Sequence, residues 1–232
     1  MALPFRLRWV IAFLLTGVML AAAHTAVAVS MAGLGKEKLA FTITRNGTPI
    51  GSHTYSFQRD GGRTTVNIKT DIDFRFLSLP LYRFRHESRE IWEGDQLLRL
   101  VSNTNDNGSP VALDVRADGQ VLKVDGQGEA VEVDSRAIPA SLWNPVVVKR
   151  HRLLDTVNGA VLTTDVVDLG DEVLPVGGQS IPVRRYRLTG DYQRDVWYDR
   201  RDGTLVRVLF RAKDGSDVEY VPVAESAVPQ GS

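Results

Sequence analysis

Strict alternation of apolar and polar residues over two long stretches is the feature that most limits how this chain can fold. In the first stretch, one face of the pattern carries Thr64, Val66, Ile68, Thr70, Ile72, Phe74 and Phe76. The residues between them are all polar, from Thr65 to Arg75. Side chains along a β-strand point to opposite faces with a period of two, so this stretch predicts a strand that is buried on one face.

The second stretch alternates in the same way but places polar groups within an aromatic face. That face carries Tyr82, Phe84, His86, Ser88, Glu90 and Trp92, and the opposite face carries Arg83, Arg85, Glu87 and Arg89. Both stretches are longer than the usual strand of about five or six residues. Long strands with one buried face are typical of a strongly twisted sheet that curls toward a barrel.

Tight-turn signals divide the rest of the chain into further strands. Asn46-Gly47, Asp118-Gly119 and Asp202-Gly203 are typical hairpin turns. The patterning predicts strands over 39–44, 50–57, 96–105, 111–116, 120–124, 130–133, 161–169, 181–189, 195–198, 205–211 and 218–221. The region 153–159 reads as a turn, and one short helix near 144–151 begins with Asn144 as its cap and Pro145 as its first residue. We therefore expect a mostly all-β fold: a large curved antiparallel sheet that forms a half-barrel or a barrel.

The N-terminal residues have the organisation of an export signal. Arg6 and Arg8 precede an uncharged apolar run from Trp9 to Ala23, and small residues continue to Ala28. This pattern predicts a signal peptide over residues 1–28, cleaved after Ala28. An uncleaved anchor is the alternative, although the run is short for a span of about 20 residues. We expect residues 29–232 to form a single β domain in the periplasm or outside the cell.

Composition excludes several classes of function. The chain has no cysteine, which rules out disulfides, thiolate catalysis and a cysteine-ligated metal site. Its 28 basic and 28 acidic residues balance, and loss of the predicted signal peptide leaves a net charge of about −2. Such a surface has no general attraction for nucleic acid. We predict no nucleic-acid partner and no cofactor.

Several sequence blocks are specific when they are taken together. They are Arg45-Asn46-Gly47-x-x-Ile50-Gly51-x-His53, Tyr82-Arg83-Phe84-Arg85-His86-x-Ser88-Arg89-Glu90-x-Trp92, Ser102-x-Thr104-Asn105-Asp106-Asn107-Gly108, Ser141-Leu142-Trp143-Asn144, Leu153-Leu154-Asp155-Thr156-x-x-Gly159, Tyr186-x-Leu188-x-Gly190-Asp191 and Trp197-Tyr198-Asp199. In these blocks the chain resembles an exported proteobacterial family of unknown function, family 6134, over nearly all of the mature sequence. The resemblance implies no activity. The architecture is more loosely similar to that of periplasmic lipoprotein carriers, in which a half-barrel wraps an apolar cavity.

His86, Ser88 and Glu90 are the residues that most resemble a catalytic set. They share one strand face, so Glu90 could orient His86 and His86 could activate Ser88. However, a serine nucleophile usually lies on a turn beside free backbone N–H groups, and the chain has no G-x-S-x-G motif. A structural polar network or a ligand-orienting patch is the stronger interpretation. No spacing of His53, His86 and His151 indicates a metal site.

The alternation and the absence of a catalytic motif favour a binding protein for a lipid or another apolar small molecule. The candidate concave face consists of Tyr82, Phe84, His86, Ser88, Glu90, Trp92, Phe74, Phe76 and Trp143. Trp143 is expected to plug one mouth of the sheet, and lining a ligand entrance is its alternative role. A structural or interaction protein of the cell envelope is the second hypothesis, and a hydrolase that uses His86, Ser88 and Glu90 is the third.

Overall fold

Most of the described chain is β-structure. The computed structural model describes residues 36–77, 79–126 and 130–223, so the predicted signal peptide lies outside the described residues. The first eight strands are β1 (Lys38–Arg45), β2 (Thr48–Asp60), β3 (Arg63–Phe76), β4 (Leu79–Glu93), β5 (Gln96–Asp106), β6 (Ser109–Asp118), β7 (Val121–Asp125) and β8 (Val131–Asp134). The others are β9 (Ile138–Pro139), β10 (Arg152–Leu154), β11 (Val161–Val176), β12 (Gln179–Gly190), β13 (Arg194–Asp199), β14 (Leu205–Arg211) and β15 (Asp217–Pro222).

All fifteen of these strands belong to one sheet. Their spatial order is β8-β7-β6-β5-β4-β3-β2-β1-β15-β14-β13-β12-β11-β10-β9. Neighbouring strands pair antiparallel except for β9 and β10, which are parallel. Within the described residues β8 and β9 are the two free ends of this order and do not pair with each other. The predicted all-β fold with a large curved antiparallel sheet is confirmed, in the form of an open half-barrel.

Two local predictions differ from the structure. The only helix among the described residues is a 3-10 helix at Pro145–Lys149, capped by the side chain of Asn144, which accepts a hydrogen bond from the Val146 amide. Three consecutive valines disfavour a regular α-helix, which accounts for the tighter and shorter turn. The region predicted as a turn over 153–159 begins within strand β10.

Strand β11 continues to Val176, well beyond its predicted end at residue 169, and forms with β12 a hairpin that folds over the outer face. A bulge between Asp168 and Gly170 bends β11, and Gly170 has a φ of +91°. Beyond the bend, the hairpin packs on Trp197 in a small cluster of Ile181, Val183, Trp197 and Val206. Glycine, proline and acidic residues in this stretch hide the strand pattern, which explains why it was missed.

A single hydrophobic core fills most of the concave side of the sheet. We call strands β8 to β1 and strands β15 to β9 the two arms of the sheet, and both contribute to this core, from Leu39 and Phe41 in β1 to Val208 in β14. Residues 137–160, which we call the inner segment, cross the concave side and bury Leu142, Trp143, Val147, Leu153 and Leu154 there. The sheet therefore wraps around the inner segment on its concave side.

The β3–β4 hairpin projects beyond the rest of the sheet. Strand β2 pairs with β3 only as far as Ile72, and β5 pairs with β4 only from Phe84 onward. The tip exposes Leu77, Leu79 and Leu81 by 83%, 66% and 54%. Three large apolar side chains therefore stand in solvent on a two-stranded ribbon. None of the helices in the described part of the chain has the length and apolarity needed to cross a membrane.

Candidate functional site

Glu90 lies at the centre of the concave face and holds the inner segment in place. Its carboxylate oxygen Oε2 accepts hydrogen bonds from the indole Nε1 of Trp92 at 2.9 Å and of Trp143 at 2.8 Å. The second oxygen, Oε1, is buried and finds no partner in hydrogen-bonding geometry. Burial raises the pKa of Glu90, and the two indoles and the neighbouring Ser141 counter this rise by favouring the charged form.

Tyrosine hydroxyls fasten the inner segment from both arms of the sheet. Tyr55 of β2 donates to the carbonyl of Ser141 at 2.5 Å, and Tyr198 of β13 donates to the carbonyl of Leu142 at 2.8 Å. Tyr192 donates to the carbonyl of Ala140 at 2.6 Å. Leu142 adopts a left-handed backbone conformation, with a φ of +67°, between these contacts. Trp143 therefore lies in a buried, hydrogen-bonded plug, and the concave face from Glu90 to Trp92 is covered.

Histidine and threonine alternate in a row across four neighbouring strands. The Nδ1 atom of His53 lies 2.7 Å from Oγ1 of Thr70, and Nδ1 of His86 lies 2.8 Å from Oγ1 of Thr104. All four side chains are buried on the concave face. The row follows directly from the pairing register, which sets His53, Thr70, His86 and Thr104 side by side.

Burial keeps this row uncharged. It lowers the pKa of His53 to about 3, with a further contribution from the nearby His86. Burial also lowers the pKa of His86, although Asp155 acts in the opposite direction. Nε2 of His53 and Oγ of Ser88 are buried and make no hydrogen bond within the described residues. The row therefore offers neutral polar atoms to the concave side.

The three candidate catalytic residues lie on one face of β4, as the alternation predicts, but they do not form a relay. His86 bonds Thr104, Glu90 bonds the two indoles, and Ser88 is without a partner in the described part of the chain. No hydrogen bond among these residues joins His86 to Ser88 or Glu90 to His86. The arrangement gives no support to the hydrolase hypothesis.

Partly exposed aromatic rings continue the concave face of β3 and β4 toward the tip of their hairpin. The rings of Tyr82 and Phe84 stack at 6.5 Å between centroids, and those of Phe84 and His86 stack at 6.3 Å. Phe84 and Phe74 are half-buried, and Tyr82 is partly exposed. Phe76 ends β3, but its side chain lies outside the described part of the structure. The binding role of these residues stays a prediction.

The opposite arm supplies a second set of residues that the sequence analysis did not identify. Tyr220 of β15 places its ring 5.0 Å from that of His53 and 6.3 Å from that of Phe210 in β14. The guanidinium of Arg194 in β13 lies over the rings of Tyr192 and Phe210, at 3.3 and 5.1 Å from their centroids. We call Phe74, Tyr82, Phe84, Phe210 and Tyr220 the aromatic rim.

Strand alternation contained part of the signal for this second set. Arg194 shares a face of β13 with Val196 and Tyr198, both of which belong to the core. The other face of β13 carries Trp197, which is also apolar and buried. The pattern alone therefore cannot decide which face of β13 is concave, and Arg194 could not be placed on it from sequence.

A shallow groove of about 750 Å³ lies on the outer side of β2 to β5. Charged and polar side chains line it, among them Lys69, Glu87, Arg89, Arg99 and Asn103. Within the part of the chain that the structure describes, no group of three or more histidine, aspartate or glutamate side chains could hold a metal ion. The outer groove has a mixed charge and differs in chemistry from the aromatic rim.

Comparison with known proteins gives a family and a fold. No curated protein matches the chain. The crystal structure of a beta-barrel-like protein of the domain of unknown function DUF1849 from Brucella abortus is similar, with a TM-score of 0.59 and 13% identity. The match covers 80% of this chain and 94% of that one, and at this identity it supports the half-barrel fold alone. The family model described as "Domain of unknown function (DUF6134)" matches residues 41–223, so the chain belongs to that family.

Proposed function

We propose that this chain is an exported binding domain that holds a lipid or another apolar small molecule against the aromatic rim. The observation that carries the proposal is the run of partly exposed rings, Tyr82, Phe84 and Phe74, on the concave face. Apolar rings that remain partly open beside a few convergent polar groups are typical of small-molecule sites. Because Trp143 covers the face at Glu90 and Trp92, such a ligand would lie at the rim.

The polar atoms beside the rim suit an amphipathic ligand. His53 Nε2 and Ser88 Oγ are buried without hydrogen-bond partners in the described residues, which is costly unless a ligand or water satisfies them. The pairing register places His53, Thr70 and His86 in one row, and the ring of Phe84 stacks on that of His86. A ligand could therefore lay its apolar part on the rim and direct a polar group toward the row.

The test uses the full mature chain and an apolar fluorescent probe whose emission rises on binding. Phe84→Ala should weaken probe binding by about tenfold, because a buried aromatic contact contributes about 1.5 kcal/mol or more. The matched control is Val101→Ala, on the adjacent strand β5, whose side chain faces the outer groove. Equal binding by wild type and Phe84→Ala, with a loss in Val101→Ala, would move the site to the outer face. A lipid extract and native mass spectrum of the wild type should contain an apolar species.

The projecting β3–β4 hairpin supports a second candidate function, that of an interaction protein of the cell envelope. Leu77, Leu79 and Leu81 form an exposed apolar tip next to the β3–β4 part of the rim, and such tips mark contact surfaces in soluble proteins. A photoreactive residue at position 79 should crosslink to one defined envelope protein. The same residue at exposed Val173, near the tip of the β11–β12 hairpin, should not. Equal labelling at both positions would argue against a specific contact.

A further inference from the structure

Arg194 is a cation on the concave face that has no anionic partner among the described residues. The residue begins β13, where its side chain shares the inner face with Val196 and Tyr198. Its guanidinium makes no ion pair and no hydrogen bond within the described residues, and its Nε atom is buried. The guanidinium lies over the faces of the Tyr192 and Phe210 rings.

Other arginines close to Arg194 are paired. Arg185 and Arg187, on the neighbouring strand β12, both bond the carboxylate of Asp195, which points to the outer face. Asp155 is close enough to Tyr192 to raise the pKa of its hydroxyl, yet it forms no ion pair with Arg194. A half-buried guanidinium without an acceptor is costly, because its donors lose water and gain nothing in exchange.

Tyr220 brings a second unused donor to the same place. Its hydroxyl makes no hydrogen bond in the described part of the chain, although the ring is half-buried between His53 and Phe210. Burial raises the pKa of Tyr220, and the charge of Arg194 lowers it, as expected for a hydroxyl close to the guanidinium. A guanidinium fork and a phenolic O–H are both donors with a preference for oxygen anions.

We propose that Arg194 and Tyr220 form an oxyanion subsite, which takes a carboxylate or phosphate at the aromatic rim. The inference rests on the proposed function, because the apolar part of the same ligand would lie on Phe210 and Phe84. An anion at Arg194 completes the hydrogen bonding of the guanidinium and leaves its cation–π contacts in place. The ligand is then an anionic amphiphile rather than a neutral one.

The experiment compares ligands that share one apolar chain but differ in their head group. Dissociation constants are measured for dodecanoate, dodecyl phosphate, 1-dodecanol and inorganic phosphate with the full mature chain. Arg194→Gln should weaken dodecanoate and dodecyl phosphate by about tenfold or more, the loss expected for a charged hydrogen bond, and should leave 1-dodecanol unchanged. Tyr220→Phe should weaken the two anions by a smaller factor, about three- to tenfold.

Arg211→Gln is the matched control, because Arg211 lies on β14 next to Phe210 but is exposed and paired with Asp217. This variant should bind all ligands as the wild type does. Unchanged binding of 1-dodecanol by Arg194→Gln also shows that the variant is folded. If Arg194→Gln binds dodecanoate as tightly as the wild type, the subsite is wrong while apolar binding stands.

Two further outcomes separate the subsite from the proposed function. If the wild type binds inorganic phosphate through Arg194 but none of the amphiphiles, the oxyanion subsite stands and the apolar ligand is wrong. If the wild type binds none of the four compounds, both proposals fail.

Discussion

At the scale of single residues, Glu90 is the buried acceptor that joins β4 to the inner segment. One carboxylate oxygen accepts two indole N–H groups, from β4 and from the inner segment, in a fully buried position. The sequence placed Glu90 on the correct strand face but could not reveal this bond, since Trp143 is 53 residues away. Alternation defines a face, whereas contacts between distant parts of the chain depend on how the sheet curls.

Replacement of Glu90 should separate its role as an acceptor from its charge. Glu90→Leu strands two buried indole donors and should lower the free energy of unfolding by about 2–5 kcal/mol. Glu90→Gln keeps an acceptor oxygen and should cost much less. Because burial raises the pKa of Glu90 above its usual 4.5, the wild type loses stability as pH rises through the folded pKa, and Glu90→Gln should remove this loss. Urea unfolding from pH 4 to pH 8 measures both effects, and equal destabilisation by both variants would contradict the hydrogen-bonding role.

His53 should make the fold sensitive to acid. Its pKa is lowered from 6.5 to about 3 in the folded state, so below about pH 6.5 the unfolded chain binds a proton that the folded chain does not. Stability therefore falls with decreasing pH between these limits, by at most about 1.4 kcal/mol per pH unit for this group. His53→Gln should flatten the urea-unfolding profile between pH 6 and pH 4. The control is His151→Gln, at an exposed position, which should leave the slope as in wild type. If His53→Gln also has the wild-type slope, the assignment of the acid sensitivity to His53 is wrong.

At the scale of elements, the inner segment is joined to both arms of the sheet by tyrosine hydroxyls. Tyr55→Phe and Tyr198→Phe should each lower the free energy of unfolding by about 1 kcal/mol, since each removes one hydrogen bond to a carbonyl of the segment. Their acceptors, Ser141 and Leu142, are adjacent, so the double variant should depart from additivity. Tyr186→Phe, at a half-exposed ring, is the control and should change stability by less than about 0.5 kcal/mol. If Tyr55→Phe, Tyr198→Phe and the double variant each lose a negligible free energy of unfolding, the segment is held by packing alone.

Strands β2 and β3 approach so closely at Gly51 that we expect a larger residue at this position to destabilise the sheet. Gly51 lies beside a bulge at Ile50 in β2, and a Cβ atom at position 51 would lie 2.2 Å from the backbone carbonyl oxygen of Asp71. Gly51→Ala should therefore destabilise the protein by about 3 kcal/mol or more, because only backbone movement relieves the clash. Gly62→Ala, in the β2–β3 turn with nothing within 4 Å, should stay within about 0.5 kcal/mol of wild type in urea unfolding. A tolerated Gly51→Ala would mean that the strands can separate freely at this point.

The positions of the strands were easier to predict from the sequence than the contacts that each strand makes. The long alternating strands β3 and β4 and most hairpin turns follow from a period of two and from Asn-Gly and Asp-Gly pairs. The sequence did not predict the outer fold of the β11–β12 hairpin, because Gly170 and Pro175 interrupt the pattern. The sequence also did not show that residues 137–160 enter the concave side. This placement depends on hydrogen-bond partners for the buried backbone, and those partners come from distant strands.

At the scale of the whole molecule, the concave face has a covered part and a partly exposed part. The inner segment and Trp143 cover the face at Glu90 and Trp92, whereas Tyr82 and Phe84, nearer the tip of the β3–β4 hairpin, remain partly exposed. The sequence predicted a concave face that runs from Phe74 to Trp92; the structure divides this face at about Glu90. The partly exposed part is therefore shorter than the predicted face, and Phe210 and Tyr220 add half-buried rings from the other arm.

The most direct test of binding at the rim is an NMR titration of residues 29–232 with dodecanoate, observing the aromatic ring signals and the methyl signals. The account predicts that the signals of Phe84, Tyr82, Phe210 and Tyr220 shift together with one dissociation constant, while the buried ring of Trp92 changes little. Saturable shifts confined to residues of the outer groove, such as Ile91 and Val101, with the rim unchanged, would contradict it.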